Sequence, residues 1–173
     1  MKTLLIQKLN KIKKSVPIIE EKISVNIIFG KRKDRISIKG KELDEFIAEQ
    51  IILAVDFGFH LDDALLLKNQ DFVLEFIDIK EHTRRKNLKD VRARIIGRNG
   101  KAKKTIEKLT GAIIVINENN IGVIVDSRHL DSVIQAIESL IRGSKHGNVF
   151  AYLEKQNINR RKFDDEDLGL KEV

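Results

Sequence analysis

The chain has 173 residues, 42% of them hydrophobic, enough to close one ordinary core or two small ones. It has no cysteine, which excludes thiolate zinc sites, disulfide staples and a cysteine nucleophile; with no Trp, one Tyr and 5% aromatic residues it offers few rings on which bases could stack. Its net charge of +7 is concentrated: Lys80 to Lys108 carries 12 basic and 3 acidic residues, whereas the remainder carries 21 and 23.

A basic stretch confined to one segment is a common footprint of nucleic-acid binding. Taken by itself, such charge is more plainly a solvated surface. At the N-terminus the apolar run ends at Gln7-Lys8, too short for a signal core. No run approaches the roughly 18 apolar residues that span a bilayer. The expectation is a soluble, cytoplasmic protein with no membrane partner.

In chain order, Thr3 to Ile6 predicts a strand, and Lys8 to Lys22 a helix broken at Pro17. Val25 to Phe29 and Arg35 to Ile38 predict a hairpin turning through Gly30-Lys31-Arg32-Lys33-Asp34. Leu43, Phe46, Ile47, Ile51, Ala54 and Val55 recur on one side of a long helix that stops near Gly58. Leu61 to Leu67 is a short connecting helix. Asp62-Asp63 at its start complements the helix dipole better than it suggests a carboxylate pair.

The second half repeats the plan more clearly. Val73 to Ile79 is a strand, Asp90 to Ile96 a short helix stopped at Gly97, and Lys101 to Leu109 a second helix ending at Gly111. Ala112 to Ile116 and Ile121 to Val125 form a hairpin through Asn117-Glu118-Asn119-Asn120. Asp126 or Ser127 caps a helix built on Leu130, Val133, Ile134, Ile137, Leu140 and Ile141, which Gly143 ends. Val149 to Lys162 is a last helix, and the acidic Asp164-Asp165-Glu166-Asp167 begins a solvated, disordered tail. The domains expected are therefore 1–70, 71–163 and a tail over 164–173.

The chemistry concentrates at Gly97-Arg98-Asn99-Gly100. Amides at the start of a helix have no helical partner and carry partial positive charge, so they receive phosphate wherever the backbone is unobstructed. Two glycines remove the obstructing β-carbons. Arg98, Lys101 and Lys104 add mobile cations, and Arg84, Arg85, Lys86 and Arg92 extend the positive track. Ile96, Ile106 and Ile114 are candidates for an apolar wall against bases. His60, His82, His129 and His146 have no chelating spacing, and no serine sits in a nucleophile elbow. Neither catalysis nor a metal or cofactor is implied.

The run from Arg94-Ile95-Ile96 through Gly97-Arg98-Asn99-Gly100-Lys101 to Thr110-Gly111-Ala112 resembles the central motif of KH domains, whose loop clamps about four single-stranded nucleotides. With Gly58-Phe59, Ala64-Leu65, Leu74 to Ile79 and His146-Gly147-Asn148-Val149-Phe150, nearly the whole chain is similar to archaeal tandem-KH ribosome-assembly proteins, relatives of the eukaryotic partner-of-Nob factor. That resemblance implies an α+β protein of two type I KH-like units, each a small antiparallel sheet covered by helices. It also implies a non-enzymatic factor that holds single-stranded RNA near the 3′ end of small-subunit rRNA, beside a Nob-type endonuclease and the alpha subunit of initiation factor two. One departure stands out. Asn10-Lys11-Ile12-Lys13 falls where a first Gly-x-x-G belongs, and both glycines are missing, so the first unit is read as degenerate and suited to docking. The rivals are a KH module of an RNA-degradation complex and a protein–protein adaptor for an acidic partner.

Overall fold

The computed structural model describes residues 1–30 and 34–167. The chain forms two compact units, Met1–Glu75 and Phe76–Val173.

In the first unit, β1 (Lys2–Leu5), β2 (Asn26–Phe29) and β3 (Arg35–Lys39) make an antiparallel sheet in the order β1-β3-β2, with Leu4 opposite Ile36 and Ile27 opposite Ile38. Helix α1 (Leu9–Ile23) links β1 to β2, and α2 (Glu42–Phe57) follows β3. A four-residue helix, α3 (Leu61–Ala64), leads into a 3-10 turn at Leu65–Lys68. The expected break at Pro17 does not occur. Pro17 is exposed, so the hydrogen bond it forfeits lies on the solvent side, while Ile12, Val16, Ile19 and Ile23 bury a continuous stripe on the other. That stripe outweighs the local cost of an interior proline, about 3 kcal/mol. The start of α1 is capped from a distance: the Asp56 carboxylate accepts from the Gln7 amide at 2.9 Å and from the Lys8 amide at 2.6 Å. The face of α2 also differs from expectation. Glu45, Ala48, Ile51, Ile52, Ala54 and Val55 are buried, whereas Leu43 and Phe46 are more than half exposed. Glu45 goes inward because its carboxylate accepts from the Gly40 amide at 3.0 Å and pairs with the N-terminal ammonium. The hairpin residues Lys31-Arg32-Lys33 lie outside the described residues.

β4 (Phe72–Asp78) carries the chain across the boundary into the second unit, which holds α4 (Leu88–Ile96), α5 (Lys101–Thr110), β5 (Ile113–Asn117), β6 (Asn120–Asp126), α6 (Leu130–Arg142) and α7 (His146–Asp167). Its sheet runs β4-β6-β5, the same relative order as in the first. β5 and β6 pair from Ile113–Ile124 to Asn117–Asn120, so the tip is Glu118-Asn119, with Glu118 at φ 50°. α4 starts two residues earlier than its periodicity suggests because the Asn87 side chain accepts from the Lys89 amide at 3.1 Å, an N-cap contact. Neither Asp126 nor Ser127 caps α6 itself, which starts without a side-chain cap; Asp126 caps the 3-10 turn Ser127–His129 before it, accepting from the Arg128 amide at 3.0 Å. Val91, Ile95, Ile106, Ile114, Ile121, Val123, Val133, Ile137 and Leu140 are buried. α7 is longer than expected. It begins at His146 and continues through Asp164 to Asp167, where a disordered tail is expected, since Gly169 is the first helix breaker after Gly147. The remainder of the tail, 168–173, lies outside the described residues.

Candidate nucleic-acid interface

α4 and α5 are joined by Gly97-Arg98-Asn99-Gly100. Gly97 has φ 74° and ψ 171°, Asn99 φ 54° and ψ 30°, and Gly100 φ 73° and ψ 11°. Three of the four loop residues thus lie at positive φ, which glycine adopts freely and asparagine better than most.

The two glycines do different things. A β-carbon on Gly97 would stand 2.6 Å from Ala102 Cβ and 2.7 Å from the Ala102 nitrogen. Gly97 therefore lets the loop close on the first turn of α5, which corrects the expectation that its missing side chain makes room for a ligand. Gly100 matches that expectation in geometry: nothing lies within 4 Å of where its β-carbon would be.

The amides need a similar correction. Gly97 N donates to Ala93 O at 2.8 Å, Gly100 N to Gly97 O at 3.1 Å, and the Lys101 amide to Arg98 O. These three are occupied internally. The consecutive amides of Arg98 and Asn99 have no acceptor among the described residues, and both residues are exposed. The anion-receptive face is therefore Arg98-Asn99 beside the bare Gly100.

The cations divide as well. Arg98, Lys101, Lys104, Arg84, Arg85 and Lys86 are exposed. The Arg85 guanidinium lies over Gly143, 3.0 Å from where a β-carbon there would stand. Arg92 is not a free part of the track: its Nη1 donates to Glu118 O at 2.7 Å, holding the β5–β6 tip. Ile96 is 38% exposed and adjoins the loop, but Ile106 and Ile114 are fully buried and belong to the core. They cannot form a wall for bases.

The footing of the loop is fixed by Arg94. Its Nη2 donates to Gly143 O at 2.8 Å and also to Ser144 O, while its own carbonyl meets His146 Nε2 at 2.8 Å. Next to the loop lies a groove of about 310 Å³ lined by Gly97, Arg98, Lys101, Thr105, His146 and Phe150.

A family model described as a eukaryotic-type KH domain (KH-domain type I), the second in PNO1, matches residues 73–158. A KH domain-containing protein of Methanocaldococcus jannaschii is 32% identical over 120 residues, 68% of this chain and 53% of its own length. The pre-rRNA-processing protein pno1 of Aspergillus oryzae is 33% identical over 111 residues, 62% of this chain and 43% of its own. Among solved structures, a chain of the a/eIF2alpha–aDim2p–rRNA complex from Pyrococcus horikoshii matches with a TM-score of 0.81 at 28% identity, covering 91% of this chain and 94% of that one. The chain belongs to the PNO1/Dim2-like family of KH proteins. It spans about half the length of the curated relatives it matches.

Within this KH domain, sequence reasoning missed His146, Phe150 and Thr105 as neighbours of the loop. His146 and Phe150 are spaced i, i+4, and their ring centroids stand 6.0 Å apart. That spacing was the available signal. Asn10 to Lys13, aligned by sequence with the Gly loop, lies inside the unbroken α1, so the first unit has no bend at that position. Among the described residues there is no group of His, Asp or Glu able to hold a metal ion, and no helix long and apolar enough to cross a membrane.

Proposed function

We propose that this protein binds single-stranded rRNA through the Gly97–Gly100 loop and acts as a non-enzymatic factor in small-subunit assembly. The observation that carries the reading is the loop itself: two adjacent unbonded amides, Arg98 and Asn99, beside an open Gly100, within the basic stretch Lys80 to Lys108. Arg98, Lys101 and Lys104 then neutralise phosphates, Ile96 meets a base, and Arg84, Arg85 and Lys86 steer the strand. Arg92 supports the fold of the site. Holding the 3′ region of small-subunit rRNA, with a Nob-type endonuclease and the alpha subunit of initiation factor two as partners, extends this reading. Its support is the pre-rRNA-processing name of the Aspergillus relative and the composition of the Pyrococcus complex. The first unit, residues 1–70, is read as a degenerate KH-like module for protein docking, since α1 runs unbroken where a loop would stand and Leu43 and Phe46 face solvent.

The test is Gly100→Asp, with affinity for a short single-stranded RNA measured over a salt series. A carboxylate there faces the incoming phosphate, so binding should be nearly abolished. Each phosphate contact removed should reduce the salt slope by about 0.7. A folded variant that binds RNA like the wild type would show that the loop is not the site.

A further inference from the structure

α7 lies beyond the six elements of the KH pattern, yet its first turns stand beside the Gly loop. Val149 and Leu153, spaced i, i+4, are 3% and 1% exposed and anchor the helix in the core. His146 and Phe150, also spaced i, i+4, form the flanking row and are only half-buried. Phe150 thereby reaches the groove of about 310 Å³, which it lines with Arg98 and Lys101.

The His146 and Phe150 rings are inclined at 50° with centroids 6.0 Å apart, so they do not stack face to face. The solvent-facing side of Phe150 has no other aromatic partner among the described residues. A backbone carbonyl can only accept, so the His146 Nε2 that meets Arg94 O at 2.8 Å carries the proton. The neutral ring then presents Nδ1 as an acceptor. Nδ1 has no donor among the described residues. Of their buried side-chain nitrogen and oxygen atoms only Arg94 Nε lacks a partner, so the unpartnered Nδ1 is open to solvent. No carboxylate lines the groove. Arg98 and Lys101 are exposed and form no ion pair among the described residues. The acidic end of α7 begins at Asp164, about 27 Å further along the helix than His146.

We propose that this groove receives one base of the bound RNA strand, stacked on the Phe150 ring with the Arg98 guanidinium over its other face and an N–H of its edge donated to His146 Nδ1. This rests on the RNA-binding reading of the Gly loop. Arg98 joins the two sites: its amide is one of the two unbonded ones, and the residue lines the groove. A nucleotide whose phosphate sits on that amide carries its base to the Phe150 side of the loop. Ile96 does not line the groove, so the base it meets is a different one. A nucleotide suits the pair of sites because it couples an anion to a flat ring that stacks on aromatic and guanidinium planes. An acidic peptide supplies the anion without the ring.

The test uses a labelled single-stranded RNA of about eight nucleotides, twice the number that a Gly loop clamps. Binding to the full chain is read by fluorescence anisotropy over a salt series. Phe150→Leu keeps an apolar side chain and removes the ring. It should weaken binding about tenfold, the scale of one base–ring stack. The salt slope should stay unchanged, because a lost phosphate contact would lower it by about 0.7. An abasic nucleotide is then placed at each position in turn. At one position, base removal should weaken binding about tenfold for wild type and under about twofold for Phe150→Leu, since contacts that share a partner are not additive. Additive losses at every position overturn the proposal. Ultraviolet crosslinking to the unmutated chain should place a base on the tryptic peptide His146 to Lys155; crosslinks confined to other peptides overturn it as well. If Gly100→Asp abolishes binding while Phe150→Leu leaves it unchanged, the loop reading stands and the groove belongs to an apolar protein side chain, which overturns the proposal. If the coupling to Phe150 is found while Gly100→Asp is neutral, the loop reading fails and the base site stands.

Discussion

A methyl group added at Gly97 would lie 2.6 Å from Ala102 Cβ, whereas one added at Gly100 would meet nothing within 4 Å. At Gly97 the pair φ 74°, ψ 171° also falls in a region that is nearly exclusive to glycine. Backbone strain there costs about 1–3 kcal/mol, and overpacking against Ala102 costs about 1–3 kcal/mol more. Gly97→Ala should therefore cost about 4 kcal/mol, a large share of the about 5–15 kcal/mol that holds a domain folded. Gly100, at φ 73° and ψ 11°, carries only the left-handed penalty of about 1–2 kcal/mol. Urea titration followed by tyrosine emission separates the two, because the chain has no Trp and its one Tyr, Tyr152, lies on α7 of the second unit. Gly97→Ala should move the midpoint at least twice as far as Gly100→Ala. Equal shifts, or a larger shift for Gly100→Ala, would refute the assignment of Gly97 to packing and Gly100 to the ligand face.

The isoleucines make a second contrast. Ile106→Ala, in the core, should cost about 2–5 kcal/mol, visible in the same titration. Ile96→Ala, at 38% exposure, should cost under about 1 kcal/mol while weakening RNA binding measured by anisotropy; the reverse pattern would place the base-contacting surface elsewhere. A third prediction concerns acid. Arg128, bonded to Asp126 through side chain and backbone, lowers the Asp126 pKa from 3.8 to about 2. A carboxyl more acidic in the folded state than in the unfolded one stabilises above its unfolded pKa. Its contribution should be complete above about pH 4 and vanish as the pH falls through about 2. Melting curves of Asp126→Asn against wild type should converge over that interval, and parallel curves would remove the ion pair from the account.

Most element boundaries were legible because hydrophobic period and punctuation agreed. α5, predicted as Lys101 to Leu109, is observed as Lys101–Thr110, where a glycine flanks each end and Ala102 and Ile106 share a face. Sequence reasoning misjudged residues whose environment is tertiary. Pro17 is tolerated because distant packing fixes α1, and Leu43 and Phe46 were counted into a face that Glu45 and Ala48 occupy. Within the site, the glycine pattern located the bend but could not distinguish a glycine pressed on Ala102 from one facing open space. Charge counting likewise could not see that Arg92 and Arg94 are committed to backbone carbonyls.

Arg94 has one more implication, for anyone dissecting the molecule. The turn that receives its guanidinium, Gly143-Ser144, and the ring that meets its carbonyl, His146, come about 50 residues after it. A fragment cut after α6, where the β-α-α-β-β-α pattern is already complete, would strip the clasp from beneath the bend. If the RNA-binding function proposed above holds, a fragment that keeps this bend in place runs on into α7, beyond Phe150.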